Sequence, residues 1–325
     1  MISKKWLLAV GASTVLAFGV AACGDDEESS DSGSGGDTAS GLSGTIRVDG
    51  SSTVAPLTEA AAELFQQENP DVQVTVGTSG TGGGFEKFCV GETDISDASR
   101  PIDDAEEVPI CEENAVEYEE VVVANDALTV VGNPENPVTC LTVDQLNQVW
   151  GPDSEITSWS DITDLDAEFT EELQLFGPGT DSGTFDYFTD AVNGEEGVQR
   201  KDYNNVGEDD NATVTGVSGA PGGMGYFGFS FFEENADTLK AFEIDGGDGC
   251  VAPTAETVQD GSYTPLGREL FIYPSSEALQ DEAVQEFVSF YIENQEEITT
   301  AAGFIPMTED QTAESQEAVD ALAGA

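Results

Sequence analysis

Along this chain, stretches with apolar residues at alternate positions are interleaved with stretches in which they recur near a period of 3.6, the spacings of strands and amphipathic helices. Thr45-Ile46-Arg47-Val48-Asp49 reads as a short strand. From Pro56 to Asn69 the residues Leu57, Ala60, Ala61, Leu64 and Phe65 make one helical stripe, which Asn69-Pro70 ends. Val72 to Val76 alternates as a strand, Phe85 to Val90 begins a helix, and Asp94-Ile95-Ser96 is a third strand. Val121-Val122-Val123 and Leu128-Thr129-Val130-Val131 are strongly strand-like. Thr142 is placed to cap a helix from Val143 to Trp150. Leu173 to Phe176 is a strand followed by a helix from about Phe185 to Val192, and Gly222 to Phe229 is a Gly-aromatic turn and strand. Leu270 to Tyr273 is a further strand, and Val284 to Ile292 an amphipathic helix. This order predicts an α/β protein with βαβ units. The runs at 121–131 and 270–273 are suited to cross between two lobes. The first lobe would then be discontinuous, 44–124 plus 268–325, with 125–267 inserted, a division that periodicity alone leaves open.

The N-terminus has a different pattern. Lys4 and Lys5 precede an apolar run from Trp6 to Val20, short for a membrane span, and then Val20-Ala21-Ala22-Cys23-Gly24. This resembles a bacterial lipoprotein signal, residues 1–22, with Cys23 as the lipidated first residue; an ordinary signal peptide with an incidental cysteine is the alternative. Residues 23–43 are rich in Gly, Ser, Asp and Glu, and such a segment buries too little to fold and acts as a tether. About 280 residues remain, enough for one large or two medium domains.

Charge narrows the function. The chain has 65 acidic residues, 9 basic residues and no histidine, for a formal net charge of −56. Phosphate backbones need basic surfaces, so nucleic-acid binding is excluded. The acid excess fits life at high salt, or simply a soluble secreted surface. Without histidine the commonest acid–base and metal chemistry is missing, and no cofactor or metal is expected. Besides Cys23 there are four cysteines, an even number that suggests two disulfides in an exported chain. Of the three pairings, Cys89–Cys111 with Cys140–Cys250 is preferred for the short spacing of the first.

Candidate chemistry lies in three small-residue runs ahead of helix-like stretches: Gly50-Ser51-Ser52-Thr53, Ser79-Gly80-Thr81-Gly82-Gly83-Gly84 and Asp181-Ser182-Gly183-Thr184. A helix N-terminus has unpaired N–H groups and a partial positive charge, and small residues let an oxyanion approach them. One such run alone is an ordinary turn and cap. Three together point to one small anion held from several sides, at the carboxyl ends of strands where open α/β sheets bind ligands. Arg100, in Asp94-Ile95-Ser96-Asp97-Ala98-Ser99-Arg100-Pro101, is the one basic residue within these loops and offers a fork of donors to an oxyanion.

With these loops in their order, the chain from about Gly44 to Thr308 resembles the phosphate-binding proteins of Pst-type ABC importers, a type II periplasmic binding protein family. Gly177 to Phe185 and Gly225-Tyr226-Phe227-Gly228 add to the match. The resemblance implies two α/β lobes around a hinge with phosphate in the cleft. It implies contacts from Ser51, Ser52 and Thr53, from Ser79, Gly80, Thr81 and Gly82, and from Ser182, Gly183 and Thr184. It also implies a membrane permease as partner, a monomeric receptor on the outer face of the membrane, and no enzymatic activity. The chain departs from the family twice. Ser99 stands where members have an aspartate that accepts the phosphate proton, and Pro178 where they have an arginine. Arg100 is expected to supply the missing charge, and Asp97 or Asp181 the acceptor. Without an acceptor, sulfate or another tetrahedral oxyanion also fits. A secreted phosphatase or Ser hydrolase is the competing class; the chain has neither the histidine nor the Gly-x-Ser-x-Gly elbow it would use.

Overall fold

The computed structural model describes residues 41–323. The expected signal segment, Cys23 and the expected tether up to residue 40 lie outside the described residues. The chain opens with β1 (Gly44–Gly50), α1 (Ala55–Glu68), β2 (Val72–Gly77), α2 (Thr81–Phe88), β3 (Ile95–Ala98) and α3 (Val108–Glu113). A long β4 (Val121–Gly132) is followed by β5 (Cys140–Thr142), α4 (Val143–Trp150), β6 (Gln174–Gly177), α5 (Gly183–Asn193), β7 (Asn204–Asn205) and α6 (Asp210–Gly219). Then come β8 (Gly223–Gly228), α7 (Phe229–Glu234), β9 (Lys240–Ala241), β10 (Glu243–Asp245), β11 (Cys250–Val251), α8 (Ala255–Gln259) and β12 (Gly267–Pro274). Three helices close the described chain: α9 (Glu282–Glu293), α10 (Gln295–Ala302) and α11 (Glu309–Ala323).

The main sheet runs β2-β1-β3-β12-β4-β8-β6-β7, with β9 also on β4, and β11-β10-β5 forms a small second sheet. At one end β1 pairs in parallel with β2 and β3; at the other β6 pairs in parallel with β7 and β8. Between them β4 and β12 run antiparallel, with Arg268 opposite Asp126. The buried apolar side chains follow the same partition. One cluster holds Ile46, Leu57, Ile95, Val123, Ala124, Ile272 and Phe287, and the other Leu128, Val130, Trp150, Phe188, Tyr226 and Leu266. Thus β4 passes from one cluster to the other at Asn125-Asp126, and β12 passes back at Gly267-Arg268-Glu269. This is the two-lobed α/β arrangement that the resemblance implies.

Two expectations are adjusted. The apolar runs at 121–123 and 128–131 belong to one continuous strand, because Asn125 is buried within it and its side chain bonds to the Pro306 carbonyl and to Gln311. Helix α2 starts at Thr81 rather than Phe85, so the Gly-rich run forms its first turn. That turn lies against the end of β1: a Cβ on Gly84 would come within 2.6 Å of the Gly50 Cα and 2.8 Å of the Ser96 Oγ. Both disulfides take the expected pairing, Cys89–Cys111 joining the end of α2 to α3 and Cys140–Cys250 joining β5 to β11.

The scarce cations are drawn into structural contacts. Arg47 pairs with Asp94 at 2.6 Å, Lys87 with Asp49 at 2.5 Å, Arg100 with Glu107 at 2.7 Å and Arg268 with Asp126 at 3.1 Å. Arg200 is buried, pairs with Asp202 and donates to the Val149 and Ile156 carbonyls. The Lys240 ammonium donates to the carbonyls of Asn136 and Val138. Lys201 is exposed and forms no ion pair among the described residues.

Candidate functional site

Local chemistry at the ends of β1, β2 and β6 turns the chain into α1, α2 and α5. None of these three helices has a side-chain cap at its N-terminus, whereas α4, α6, α8 and α9 are capped by Thr142, Asp209, Thr254 and Asp281. The first N–H groups of α2 and α5 are therefore left to an outside acceptor, whereas in α1 the Ala55 and Leu57 N–H groups already donate to the Ser51 and Val54 carbonyls and Pro56 has none, so what α1 offers is the Ser51-Ser52-Thr53 loop ahead of it. All three N-termini border two cavities of about 390 and 700 Å³ that share Ser52, Gly183, Tyr187 and Arg268 as lining. At this waist the first and last loops nearly touch: a Cβ on Gly183 would lie 3.1 Å from Thr53 Oγ1 and 3.6 Å from Ser52 Oγ. A side chain at this position would press on the Thr53 hydroxyl, so the glycine lets α5 approach α1 this closely without displacing it.

The residues expected from the sequence take different places around the cavities. Ser52, Thr53, Ser182, Gly183 and Thr184 line the smaller cavity or the waist. Ser51, Ser79, Gly80, Thr81, Gly82, Ser99 and Arg100 line the larger one. Several hydroxyls already have partners. Ser51 Oγ accepts from the Thr53 N–H at 3.2 Å, Ser79 Oγ donates to Asp49 at 2.6 Å, and Thr81 and Ser99 hydroxyls pair at 3.0 Å. Arg100 forms a fork-to-fork pair with Glu107 at 2.7 and 2.8 Å and also donates to the Pro101 carbonyl. Asp181 is exposed and outside the lining. Asp97 is fully buried beneath the first loop: its carbonyl accepts from the Ser51 N–H, and one carboxyl oxygen accepts from Thr58 at 2.9 Å. Its other oxygen has no partner among the described residues. Burial, with the charges of Asp49 and Glu59 adding, pushes its pKa up to about 8 against the opposing Thr58 bond, so at neutral pH it is mainly a neutral acid.

Sequence reasoning passed over Arg268. It follows Pro265-Leu266-Gly267, outside any Ser/Gly run, and its position comes from strand register. Its guanidinium lies 3.5 Å above the centre of the Tyr187 ring. It donates to Asp126 at 3.1 and 3.2 Å, to the Ser99 carbonyl at 3.3 Å and to Thr53 Oγ1 at 3.4 Å. Burial raises the Tyr187 phenol, which stays protonated and donates to the Pro265 carbonyl. Pro178, where the resemblance would place an arginine, is buried, and its carbonyl accepts from Tyr203. The one sequence-level signal for Arg268 is the rarity of basic residues in so acidic a chain.

Carboxylates ring the same space: Asp126, Glu208, Asp210 and Glu234 on the smaller cavity, Asp186, Asp190, Glu196 and Glu269 on the larger. Burial first, then Glu208 and Asp209, raise Asp210 to about 6, and burial with Glu196 and Asp181 raises Asp186. Open N–H groups of α2 and α5, hydroxyls and the Arg268 guanidinium thus face the cavities within a ring of carboxylates.

Residues 35–295 match the model of the PBP superfamily domain. Protein SphX of Synechococcus elongatus is 45% identical over 265 residues, 81% of this chain and 77% of that protein. The phosphate-binding protein PstS of Staphylococcus saprophyticus is 37% identical over 328 residues, 99% of this chain and 96% of its own length. A crystal structure described as a possible phosphate binding protein from Planctomyces limnophilus superposes with a TM-score of 0.81 at 42% identity, covering 86% of this chain and 99% of that one.

Proposed function

The chain belongs to the PBP superfamily and, within it, to the phosphate-binding proteins, and from that premise we propose that it captures inorganic phosphate outside the cytoplasmic membrane and hands it to an ABC permease. The observation that carries the proposal is that the open N-termini of α2 and α5 and the Ser51-Ser52-Thr53 loop border adjoining hydroxyl-lined cavities beside the Arg268 guanidinium. Ser52, Thr53, Ser182, Gly183 and Thr184 close on the anion at the waist. Thr81, Ser99 and the first turn of α2 bound it from the larger cavity, with Arg100, Ser51 and Ser79 supporting that wall. The lobes are 44–124 plus 268–325 and 125–267, with β4 and β12 as the hinge, and the receptor works as a monomer. Neither Asp97, sealed beneath the loop, nor exposed Asp181 is placed to accept a phosphate proton in this conformation. Discrimination against sulfate then falls to the carboxylates around the waist.

Among the described residues no helix is long and apolar enough to cross a membrane. Lipid on Cys23 is the proposed attachment, and Cys23→Ala is expected to release the protein from the membrane fraction or block its maturation. The central test is calorimetric titration of phosphate-stripped protein with phosphate, arsenate and sulfate at fixed ionic strength. Saturable one-to-one phosphate binding supports the proposal, and preference for sulfate overturns it. Steady release of phosphate from p-nitrophenyl phosphate would instead establish the enzyme reading.

A further inference from the structure

Resting on the phosphate reading above, we propose that Arg268 supplies the counter-charge to the bound anion and, by stacking on Tyr187 while holding Thr53, ties the two walls of the cleft around it. Two arginines line the cavities, and they differ in what their donors are doing. Arg100 is about half exposed, and both of its terminal nitrogens are committed to Glu107 at 2.7 and 2.8 Å. Arg268 is mostly buried, and its bonds to the Ser99 carbonyl and Thr53 Oγ1, at 3.3 and 3.4 Å, are at the long limit. The nitrogen held loosely by the Ser99 carbonyl can be turned to an oxyanion at little cost, while Asp126 and Thr53 keep the guanidinium in place.

Position supports the same conclusion. Gly183 and Thr184, at the open N-terminus of α5, lie four and three residues before Tyr187 and so share one face of that helix. The ring therefore carries the guanidinium one helical turn from the N–H groups expected to hold the anion. On the other side Thr53 Oγ1 meets both Arg268 and the space over Gly183. Arg268 itself sits where β12 passes between the two apolar clusters, opposite Asp126 on β4. A charge placed there is read by both walls at once. Tyr187 acts as a positioning residue, presenting a flat face to a planar cation.

The test is a phosphate titration of the full chain and of Arg268→Gln, Arg268→Lys, Arg100→Gln, Tyr187→Phe and Tyr187→Leu at one high ionic strength. Small-angle X-ray scattering with and without phosphate reads closure, and a cooperative melt checks folding. Arg268→Gln is expected to weaken binding by roughly tenfold to a hundredfold and to abolish phosphate-induced compaction. Arg268→Lys retains the charge without the planar stack and should lose about tenfold; it serves as the deciding variant if Arg268→Gln does not fold. Tyr187→Phe keeps the ring face but gives up the bond to the Pro265 carbonyl and should lose less than Tyr187→Leu, which should lose several-fold while compacting less. Arg100→Gln should lose less than Arg268→Gln, since both terminal nitrogens of Arg100 are already on Glu107. Folded Arg268 variants that bind as the parent does, or a larger loss at Arg100 than at Arg268, overturn the proposal. A parent that does not bind phosphate overturns the reading beneath it instead.

Discussion

Asp97 is a carboxyl group sealed under the first anion loop, with one oxygen on Thr58 and the other unpaired among the described residues. Its pKa of about 8 lies above the roughly 3.9 of an unfolded aspartate, so between about pH 4 and 8 the folded chain binds a proton that the unfolded chain has released. The associated stability is present in full below about pH 4 and is lost as the pH rises to about 8. Asp97→Asn removes that dependence. Denaturant unfolding at constant salt should show the variant gaining on the parent across this window, by on the order of 1 kcal/mol or more at the alkaline end; parallel curves would reject the assignment. Gly183 poses a steric question instead. A methyl group there meets Thr53 Oγ1 at 3.1 Å, tighter than ordinary contact, so Gly183→Ala should wedge the waist open. Overpacking of this kind costs about 1–3 kcal/mol, which predicts phosphate binding weakened roughly tenfold or more with little change in melting temperature. Unchanged affinity in the titration would mean that α1 and α5 do not approach this closely when phosphate is bound.

Helix α2 connects the anion site to the covalent framework, because its first turn faces the larger cavity and the residue after its last turn is Cys89, joined to Cys111. Removing this bridge by Cys89→Ser with Cys111→Ser should lower stability by about 2–5 kcal/mol and also weaken phosphate binding, since α2 is then free to shift its N-terminus. Removing Cys140–Cys250, which spans 110 residues but clips only the small sheet, should cost stability and leave affinity close to that of the parent. Parallel melts and titrations separate the two outcomes. At this scale the sequence was informative wherever local pattern decides the structure. The stripe of α1, the Thr142 cap of α4 and the alternation in β1 and β2 depend on near neighbours, and all could be read directly. What could not be read depends on distant partners. The break at Asn125-Asp126 looks like the end of a strand until Pro306 and Gln311 arrive to satisfy Asn125. The Gly-rich start of α2 looks like a loop until β1 packs against it. Helix α11 buries only Ser315, Val319 and Leu322, too thin a stripe to stand out in the sequence. Arg268 reaches the waist through the register of β12 on β4, which no local motif records.

The whole molecule is a strongly negative body with a small anion site in it, and the two fields act over different ranges. At low salt the repulsion extends well beyond the protein, with a Debye length of about 30 Å at 0.01 M, whereas at 1 M it is confined to about 3 Å. Contacts at the partly buried waist are screened much less. Association of phosphate should therefore accelerate as KCl is raised across that range, opposite to the usual behaviour of a site in a basic surround, while dissociation changes less. Stopped-flow measurements would show this, and an association rate that falls with salt would mean that the waist dominates the long-range field. The engagement of nearly every cation has a consequence of a different kind, for covalent labelling. Lys87 is held by Asp49 and Lys240 by backbone carbonyls, so among the described residues Lys201 is the one exposed, unpaired amine. Among the described residues, a limiting dose of an amine-reactive dye should label Lys201 ahead of Lys87 and Lys240, placing a reporter beside the buried Arg200 anchor without any engineered cysteine to disturb the two disulfides.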